Sequence, residues 1–435
     1  MARWPSGLRR WFKAPVSSEA LDHSTNASES TILGTSPSPG TRKHANRNRH
    51  VRFRAALRSR GAKRRRWAHP LIAVFSVAEP ASLSAHLHVV RLLSARLRGG
   101  DVTFDQPWKI ADPHIVYDRK ELRRTQRYIV SNFTYSKGLG NLMFQYASLR
   151  SIATQHKAKL LIPSNSLLRR AFDLDAVVVT PQINDQLLGE NARFAVEFKD
   201  CCSYHSDLQL FMNPDSNVQV LQGYFQSFRY FHPHNEDLIR EQFRFLPEIS
   251  IRAEQIIQEA QFEKINADVN NDGFLGVDQV QVVPEGYDDN YYYVGVHVRR
   301  GMDITWNSRN IKHGHTVATK EYFEHAMDHF RAKHKDKVVF IVCSDDLAWT
   351  MKNIPKSSAK KGEIFFSDGA FREVDLALLS QCNETIGSTG TFSWWGSYLA
   401  GGQSTYFSNW PYKGSMLDKM VDKKNYFLEE WIPME

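Results

Sequence analysis

The sequence has 435 residues, with 56 Lys plus Arg against 47 Asp plus Glu and a net charge of +9. That charge is split, because the first hundred residues carry 19 basic and 4 acidic side chains and the remaining 335 carry 37 and 43. The basic excess therefore belongs to an N-terminal extension and gives no reason to expect nucleic acid on the mildly acidic body, while four cysteines without a C-x-x-C pair exclude a disulfide framework and a paired-cysteine zinc site.

In the extension, residues 42–66 hold 12 Lys or Arg and no acid, and Ser, Thr, Pro and Gly dominate residues 24–41. Such composition buries too little apolar surface to offset chain entropy, so residues 1–125 read as a disordered basic extension. The cluster Lys63-Arg64-Arg65-Arg66 is either a nuclear-localisation type patch or the solvated flank of an apolar segment. Residues 67–90 are that segment, with a single formal charge at Glu79 but an uninterrupted apolar run of only 71–78 and prolines at Pro70 and Pro80. This is a weak membrane-anchor pattern against the roughly 20 apolar residues a span needs.

The body, with 42% hydrophobic residues in the chain as a whole, has enough length and apolar content for two domains. The first opens with Tyr128-Ile129-Val130-Ser131-Asn132-Phe133 as a strand, then Gly138-Leu139-Gly140-Asn141, then a helix over 142–156. Strand, glycine turn and helix is the start of a doubly wound α/β unit, whose helix N-terminus can receive an anion or sugar hydroxyls. A second strand follows at Lys159-Leu160-Leu161-Ile162-Pro163 and another at Val218-Gln219-Val220-Leu221. The aromatic run Gly223-Tyr224-Phe225-Gln226-Ser227-Phe228-Arg229-Tyr230-Phe231 serves either packing or a sugar site. After a helix over 249–266, residues 268–279 place oxygen side chains at Asp268, Asn270 and Asp272 with Gly273 sixth, as in a calcium loop. Gln279 stands where that loop needs a bidentate Glu, and an Asn/Asp/Gly linker between domains explains the stretch equally well.

A second unit, residues 286–435 after a first domain of 126–285, begins at Tyr291-Tyr292-Tyr293-Val294-Gly295-Val296-His297-Val298 and runs into Arg299-Arg300-Gly301-Met302-Asp303. A helix over 319–333 leads to the strand Lys337-Val338-Val339-Phe340-Ile341-Val342-Cys343, which ends in Ser344-Asp345-Asp346. Later, Glu384-Thr385-Ile386-Gly387 runs into Ser388-Thr389-Gly390-Thr391 and an apolar helix from Phe392. This alternation implies a parallel sheet with helices on both faces, and ligands of such sheets sit at the C-terminal strand ends. Adjacent arginines can serve surface ion pairs, and small hydroxyl residues can simply cap a helix. At successive ends of one sheet, however, guanidinium forks facing a hydroxyl-rich, glycine-containing helix start suit a diphosphate.

Several segments together resemble the α1,2-fucosyltransferases, the galactoside 2-L-fucosyltransferase family. These are Gly138-Leu139-Gly140-Asn141 with Gln145, Gly223-Tyr224-Phe225-Gln226-Ser227, Gly295-Val296-His297-Val298-Arg299-Arg300-Gly301, Ser344-Asp345-Asp346, Asp375-Leu376-Ala377-Leu378-Leu379 and Gly390-Thr391-Phe392. The resemblance covers about 128–432. It implies two Rossmann-like domains in a GT-B-like arrangement, inversion at fucose, GDP-β-L-fucose as donor and a terminal β-galactoside on glycoprotein or glycolipid as acceptor. No metal or other cofactor is expected. By the same likeness, Arg299 and Arg300 hold the diphosphate, the loop from Ser388 through Thr389, Gly390 and Thr391 to Phe392 covers it, and Asp345 or Asp346 meets the guanine or ribose. Gly138, Gly140, Asn141, Tyr224 and Gln226 fall on the acceptor side. Arg300, Asp303 and His297 are the catalytic candidates. Met302 is an insertion in the family's H-x-R-R-x-D pattern, so the general base stays open among Asp303, His297, Glu373 and Asp375. His297 is equally suited to a structural role. A non-catalytic carbohydrate or nucleotide-sugar binder is the alternative function. The family also implies a Golgi membrane protein with a lumenal catalytic domain; the sequons at Asn132 and Asn383 fit that location, and Cys201, Cys202, Cys343 and Cys382 are free to pair there in ways the sequence does not settle.

Overall fold

The computed structural model describes residues 108–435 except 134–135, 137, 209–211, 272–288 and 355–361. The basic cluster, the 67–90 segment and the seam expected at 285–286 lie outside the described residues. Among the described residues no helix is long and apolar enough to cross a membrane.

The chain is α/β, with two six-stranded sheets in which every strand pair is parallel. The first sheet contains β1 (Ile115–Val116), β2 (Arg127–Val130), β3 (Ala158–Pro163), β4 (Val177–Val179), β5 (Val196–Glu197) and β6 (Val218–Gln222), in the order β1-β4-β3-β2-β6-β5. Helix α1 (Leu139–Gln155) joins β2 to β3, α2 (Pro181–Glu190) follows β4, and α3 (Glu236–Gln242) and α4 (Pro247–Asn271) follow β6. The second sheet contains β7 (Tyr292–Val298), β8 (Val338–Ser344), β9 (Ile364–Phe366), β10 (Glu384–Gly387), β11 (Ser404–Phe407) and β12 (Ile432–Met434), in the order β12-β11-β10-β7-β8-β9. Its helices are α5 (Met302–Thr305), α6 (Ser308–His313), α7 (Lys320–His334), α8 (Leu347–Asn353), α9 (Arg372–Ser380), α10 (Gly390–Ala400), α11 (Met416–Met420) and α12 (Lys423–Tyr426).

These orders locate the sites. From β7 the chain builds outward through β8 and β9, then returns to add β10, β11 and β12 on the opposite side. The switch lies between β7 and β10, where a crevice opens beyond the strand ends. Likewise the first sheet switches between β2 and β6. The loops leaving these four strands are the segments singled out by sequence. β8 is buried along its whole length and β7 over its last five residues, which is why both read as continuous apolar runs rather than alternating ones.

An aromatic wedge joins the halves. Phe144 of α1 lies 4.4 Å from Trp394 and 5.1 Å from Trp395 of α10 (ring centroids), and Phe231 stacks on Trp395 at 5.6 Å. The indole N–H groups are satisfied across the chain: Trp395 donates to the Gly140 carbonyl at 3.0 Å and Trp394 to the Tyr426 carbonyl at 2.6 Å. Aromatic pairs of this kind contribute roughly 0.5–1.5 kcal/mol each beyond the area they bury.

Three expectations need correction. Order begins before residue 125: Trp108 is buried, its ring 5.3 Å from Phe371, and β1 pairs with β4 just ahead of a charged stretch whose Asp118 and Glu121 close a capping box. Helix α4 extends through Asn271, so Asp268 and Asn270 lie on a helix and not in a calcium loop. The Asp268 carboxylate is paired with Lys264 and accepts from the Tyr291 hydroxyl at 2.9 Å, and these side-chain partners hold the last turn helical. The remaining positions, 272–279, lie outside the described residues. α4 also packs on α9 and β8, placing it with the second sheet although it precedes the expected seam. Of the cysteines, the adjacent Cys201 and Cys202 form a disulfide, while Cys343 and Cys382 are buried free thiols. Burial pushes the Cys382 thiol up to about 12.

Candidate active site

β7 delivers Arg299 and Arg300 to the switch crevice, and β10 delivers Ser388 beside them. The Arg299 amide donates to Ser388 Oγ at 2.9 Å, tying the two loops. The Arg299 guanidinium is ion-paired with both Asp303 and Asp345. Asp345 also accepts from the Arg300 amide at 2.6 Å, so one carboxylate braces the whole arginine corner. A Cβ on Gly301 would come within 2.5 Å of Arg299 Nη1 and 2.7 Å of Asp345 Oδ2, so a side chain there would push these charged ends apart. The Arg300 guanidinium lies over the Trp349 ring, its Cζ 3.7 Å from the centroid, and its buried Nε has no hydrogen-bond partner among the described residues. Desolvation lowers the Arg300 pKa from its ordinary value, with Asp346 opposing, but a guanidinium stays charged. Asp346 is occupied as the N-cap of α8, accepting from the Trp349 amide at 3.0 Å.

Opposite the arginines, Ser388 and Thr389 are buried and Gly390 takes φ +82°, a left-handed turn with open space where a Cβ would stand. α10 starts there, and its first N–H groups have no acceptor within the helix.

His297 pairs in register with Gly387 and Cys343 and is buried at the end of β7. Its Nδ1 is 2.6 Å from Ser393 Oγ, and its ring is 4.8 Å from Phe392. Burial and the nearby Arg299 push its pKa down to about 3, so the imidazole is neutral. Ser393 Oγ is also 3.2 Å from Ser388 Oγ, completing a chain from His297 to the Arg299 amide. Glu373 is buried within 3.1 Å of Arg170 Nε, an ion pair lacking hydrogen-bond geometry at that oxygen. Burial raises Asp375 to about 6 although Ser367 Oγ donates to it at 2.6 Å. Asp303, in the first turn of α5, keeps its side chain 53% exposed.

The first-sheet loops meet this crevice. A Cβ on Gly140 would stand 2.6 Å from the Thr391 carbonyl carbon and 2.8 Å from the Phe392 nitrogen. Asn141 Oδ1 accepts from Thr391 Oγ1 at 2.6 Å and from Gln226 Nε2 at 3.1 Å, while its Nδ2 donates to Ser136 Oγ at 2.9 Å. Gly138 precedes α1 and donates to the same Ser136 oxygen at 3.1 Å. Tyr224 is half-buried beside this network, with desolvation raising its hydroxyl pKa. Asn141, Gln226 and Thr391 are thus brought together. The glycosylation candidates stand apart from them in their bonding. Asn383 is exposed at the entry to β10 and accepts from the Tyr293 amide at 2.8 Å, and Asn132 is half-buried where its carbonyl accepts from Gln145 at 3.3 Å. Sequence reading missed Trp349 and did not pair Ser393, the last hydroxyl of the 388–393 segment, with His297. Trp349 follows Asp346 by three residues, the spacing of a cap and its amide, but nothing local says that its ring receives Arg300.

Residues 278–435 match the model of glycosyl transferase family 11. That stretch holds the whole second sheet, both arginines and the Ser388–Phe392 loop. The chain is 40% identical over 146 residues to galactoside alpha-(1,2)-fucosyltransferase 2 of Sus scrofa, covering 33% of this chain and 41% of that one. It is 29% identical over 303 residues to galactoside alpha-(1,2)-fucosyltransferase 1 of Saimiri boliviensis boliviensis, covering 67% and 71%. For the Bos taurus relative of the same name the figures are 29% over 304 residues, covering 67% and 72%. The matched stretch spans less than half of the pig protein's length and just over two thirds of the other two. Among solved structures, fucosyltransferase NodZ from Bradyrhizobium superposes with a TM-score of 0.36 at 16% identity, covering 62% of this chain and 92% of that one. Within the matched segment 278–435, the donor candidates Arg299, Arg300, Asp345, Asp346 and 388–392 all lie at the ends of β7, β8 and β10.

Proposed function

We propose that the protein is a galactoside 2-α-L-fucosyltransferase, moving fucose from GDP-β-L-fucose to the 2-hydroxyl of a terminal β-galactoside. The observation that carries this is the arginine corner facing the Ser388–Gly390 turn across the switch point of a family 11 sheet. The curated relatives named for this transfer support it. In this reading the two sheets are the halves of a GT-B-like transferase, the second for the donor and the first for the acceptor.

The diphosphate displaces carboxylates from Arg299 and takes Arg300 through its unsatisfied edge. As the C1–O bond to the β-phosphate breaks, its electron pair stays with the phosphate, and the guanidiniums and the α10 N–H groups meet that charge. The acceptor oxygen attacks C1 from the opposite face and configuration inverts. Its proton passes to Asp303, the candidate carboxylate exposed at the crevice and released once Arg299 turns to the diphosphate. His297, neutral and held by Ser393, acts as a positioning residue. With two arginines carrying the leaving-group charge, no metal is assigned a step.

GDP release with lactose or N-acetyllactosamine as acceptor and EDTA present tests the reading. Turnover with a β-linked donor yielding an α-linked product is expected, and Asp303→Asn lowers kcat by about 10²–10⁴-fold. GDP-fucose binding without transfer to any β-galactoside overturns it in favour of a non-catalytic binder. The lumenal Golgi location belongs to the same proposal, and glycan at Asn383 in cell-derived protein is its check.

A further inference from the structure

Of the described tryptophans, Trp108, Trp394, Trp395, Trp410 and Trp431 are buried and Trp349 is half-buried beneath Arg300. Trp306 is 83% exposed. It follows α5 directly, and its amide donates to the Met302 carbonyl at 3.0 Å, so it continues that helical turn. Residues three and four apart on a turn are neighbours, which makes position 306 adjacent to Asp303 and to Met302, itself 79% exposed. Asp303 is in turn paired with Arg299 at the crevice. The loop across is fixed to the same turn: Asn310 Nδ2 donates to the Asp303 carbonyl at 2.8 Å, the Gly314 amide to the Asn310 carbonyl at 3.2 Å, and the Tyr412 amide to the Gly314 carbonyl at 2.9 Å. Tyr412 is itself 66% exposed. Exposed apolar side chains beside a charged site mark a binding surface.

Resting on the fucosyltransferase reading, we infer that Trp306 is the platform for the second sugar of the acceptor, the residue to which the terminal galactose is linked. The galactose whose hydroxyl loses its proton lies against Asp303. Neighbours on a helical turn have Cβ atoms about 5–6 Å apart, close to the width of one pyranose ring, so the next sugar falls over the indole. A pyranose presents C–H groups on one face, and the negative face of an aromatic ring attracts them. Nothing charged is needed there, and Met302 extends the apolar floor. Trp306 thereby sets the preference for a disaccharide end over an isolated galactoside.

The test compares wild type, Trp306→Ala and Trp306→Phe on lactose and on methyl β-galactoside, with acceptor-free hydrolysis of GDP-fucose measured alongside. Trp306→Ala should lower kcat/KM for lactose by about fivefold to tenfold, chiefly through KM. Turnover of methyl β-galactoside and donor hydrolysis should stay at wild-type rates, and Trp306→Phe should restore most of the lactose preference. An unchanged lactose-to-methyl-galactoside ratio in Trp306→Ala overturns the inference, as does an equal loss on both acceptors. A shift of oligomeric state on gel filtration would assign the patch to self-association and overturn it too. Failure of the wild type on both acceptors sinks the fucosyltransferase reading itself, which a lost preference in an active variant does not.

Discussion

The crevice between β7 and β10 is made of full charges, with Arg299 and Arg300 braced by Asp303 and Asp345 and backed by Trp349. The matching crevice between β2 and β6 is made of amides, hydroxyls and glycines: Asn141, Gln226, Ser136 and Gly140. Both occupy the same topological position on parallel sheets, so the difference lies in the chemistry of the loops and not in the fold. On the charged side the carboxylates hold the Arg299 guanidinium, and in the proposed function an incoming diphosphate must compete with them. The neutral side holds shape without competing for the ligand's charge. Each side also limits the other, because Asn141 and Gly140 fix where Thr391 and Phe392 can stand.

The strongest break of this contrast is Arg300→Ala. If the charged side carries the leaving group, kcat/KM should fall about 10³-fold, roughly 4 kcal/mol of transition-state stabilisation, with the thermal midpoint nearly unchanged. Steady-state kinetics beside calorimetry separates the two, and wild-type turnover by this variant would return the arginine pair to surface chemistry. On the neutral side, Asn141→Ala strands the Thr391 hydroxyl and the Gln226 amide at once. A stability loss of about 1–3 kcal/mol in denaturant titration is expected, together with a higher KM for the donor although Asn141 sits on the other sheet. A rise in acceptor KM alone would deny the coupling of the two loops.

The smallest effect concerns pH. Asp375 has its folded pKa raised to about 6, so the folded chain binds more protons than the unfolded one between about pH 4 and 6. Its contribution to stability is present in acid and lost as pH rises through 6, about 1 kcal/mol between pH 5 and 8. His297 runs the other way, because a folded pKa of about 3 means that the unfolded chain binds the extra proton below about 6.5. Its contribution is full above that value and falls by about 3 kcal/mol between pH 7 and 4. Asp375→Asn should therefore remove the contribution that opposes His297 and steepen the rise in stability between about pH 4 and 7. An unaltered curve would mean that Asp375 titrates normally.

Much of the charged side was legible in the sequence. Parallel strands buried on both faces give uninterrupted runs such as Val338 to Cys343, and the chemistry-bearing residues follow at their ends. The neutral side was legible as a glycine turn but not as a partner of Thr391, because the bond from Asn141 crosses 250 positions. No local signal encodes such a contact. β1 escaped for a different reason: two residues in a charged stretch show no period, and only pairing with β4 makes them a strand. The end of α4 misled through composition, since Asp268, Asn270 and Asn271 favour turns until Lys264 and Tyr291 engage the carboxylate. Trp349 and Trp306 look alike in sequence. One is covered by a guanidinium and the other faces solvent, and only the fold distinguishes them.

The fit of Gly140 against the backbone of Thr391 and Phe392 has a consequence for descent. Position 140 can change only if the start of α10 retreats, and α10 is pinned by the indoles of Trp394 and Trp395. Among relatives the two segments should therefore vary as a pair. A lineage that fills position 140 should carry a compensating insertion or a smaller aromatic near 391–395, and drift at one without the other should be rare.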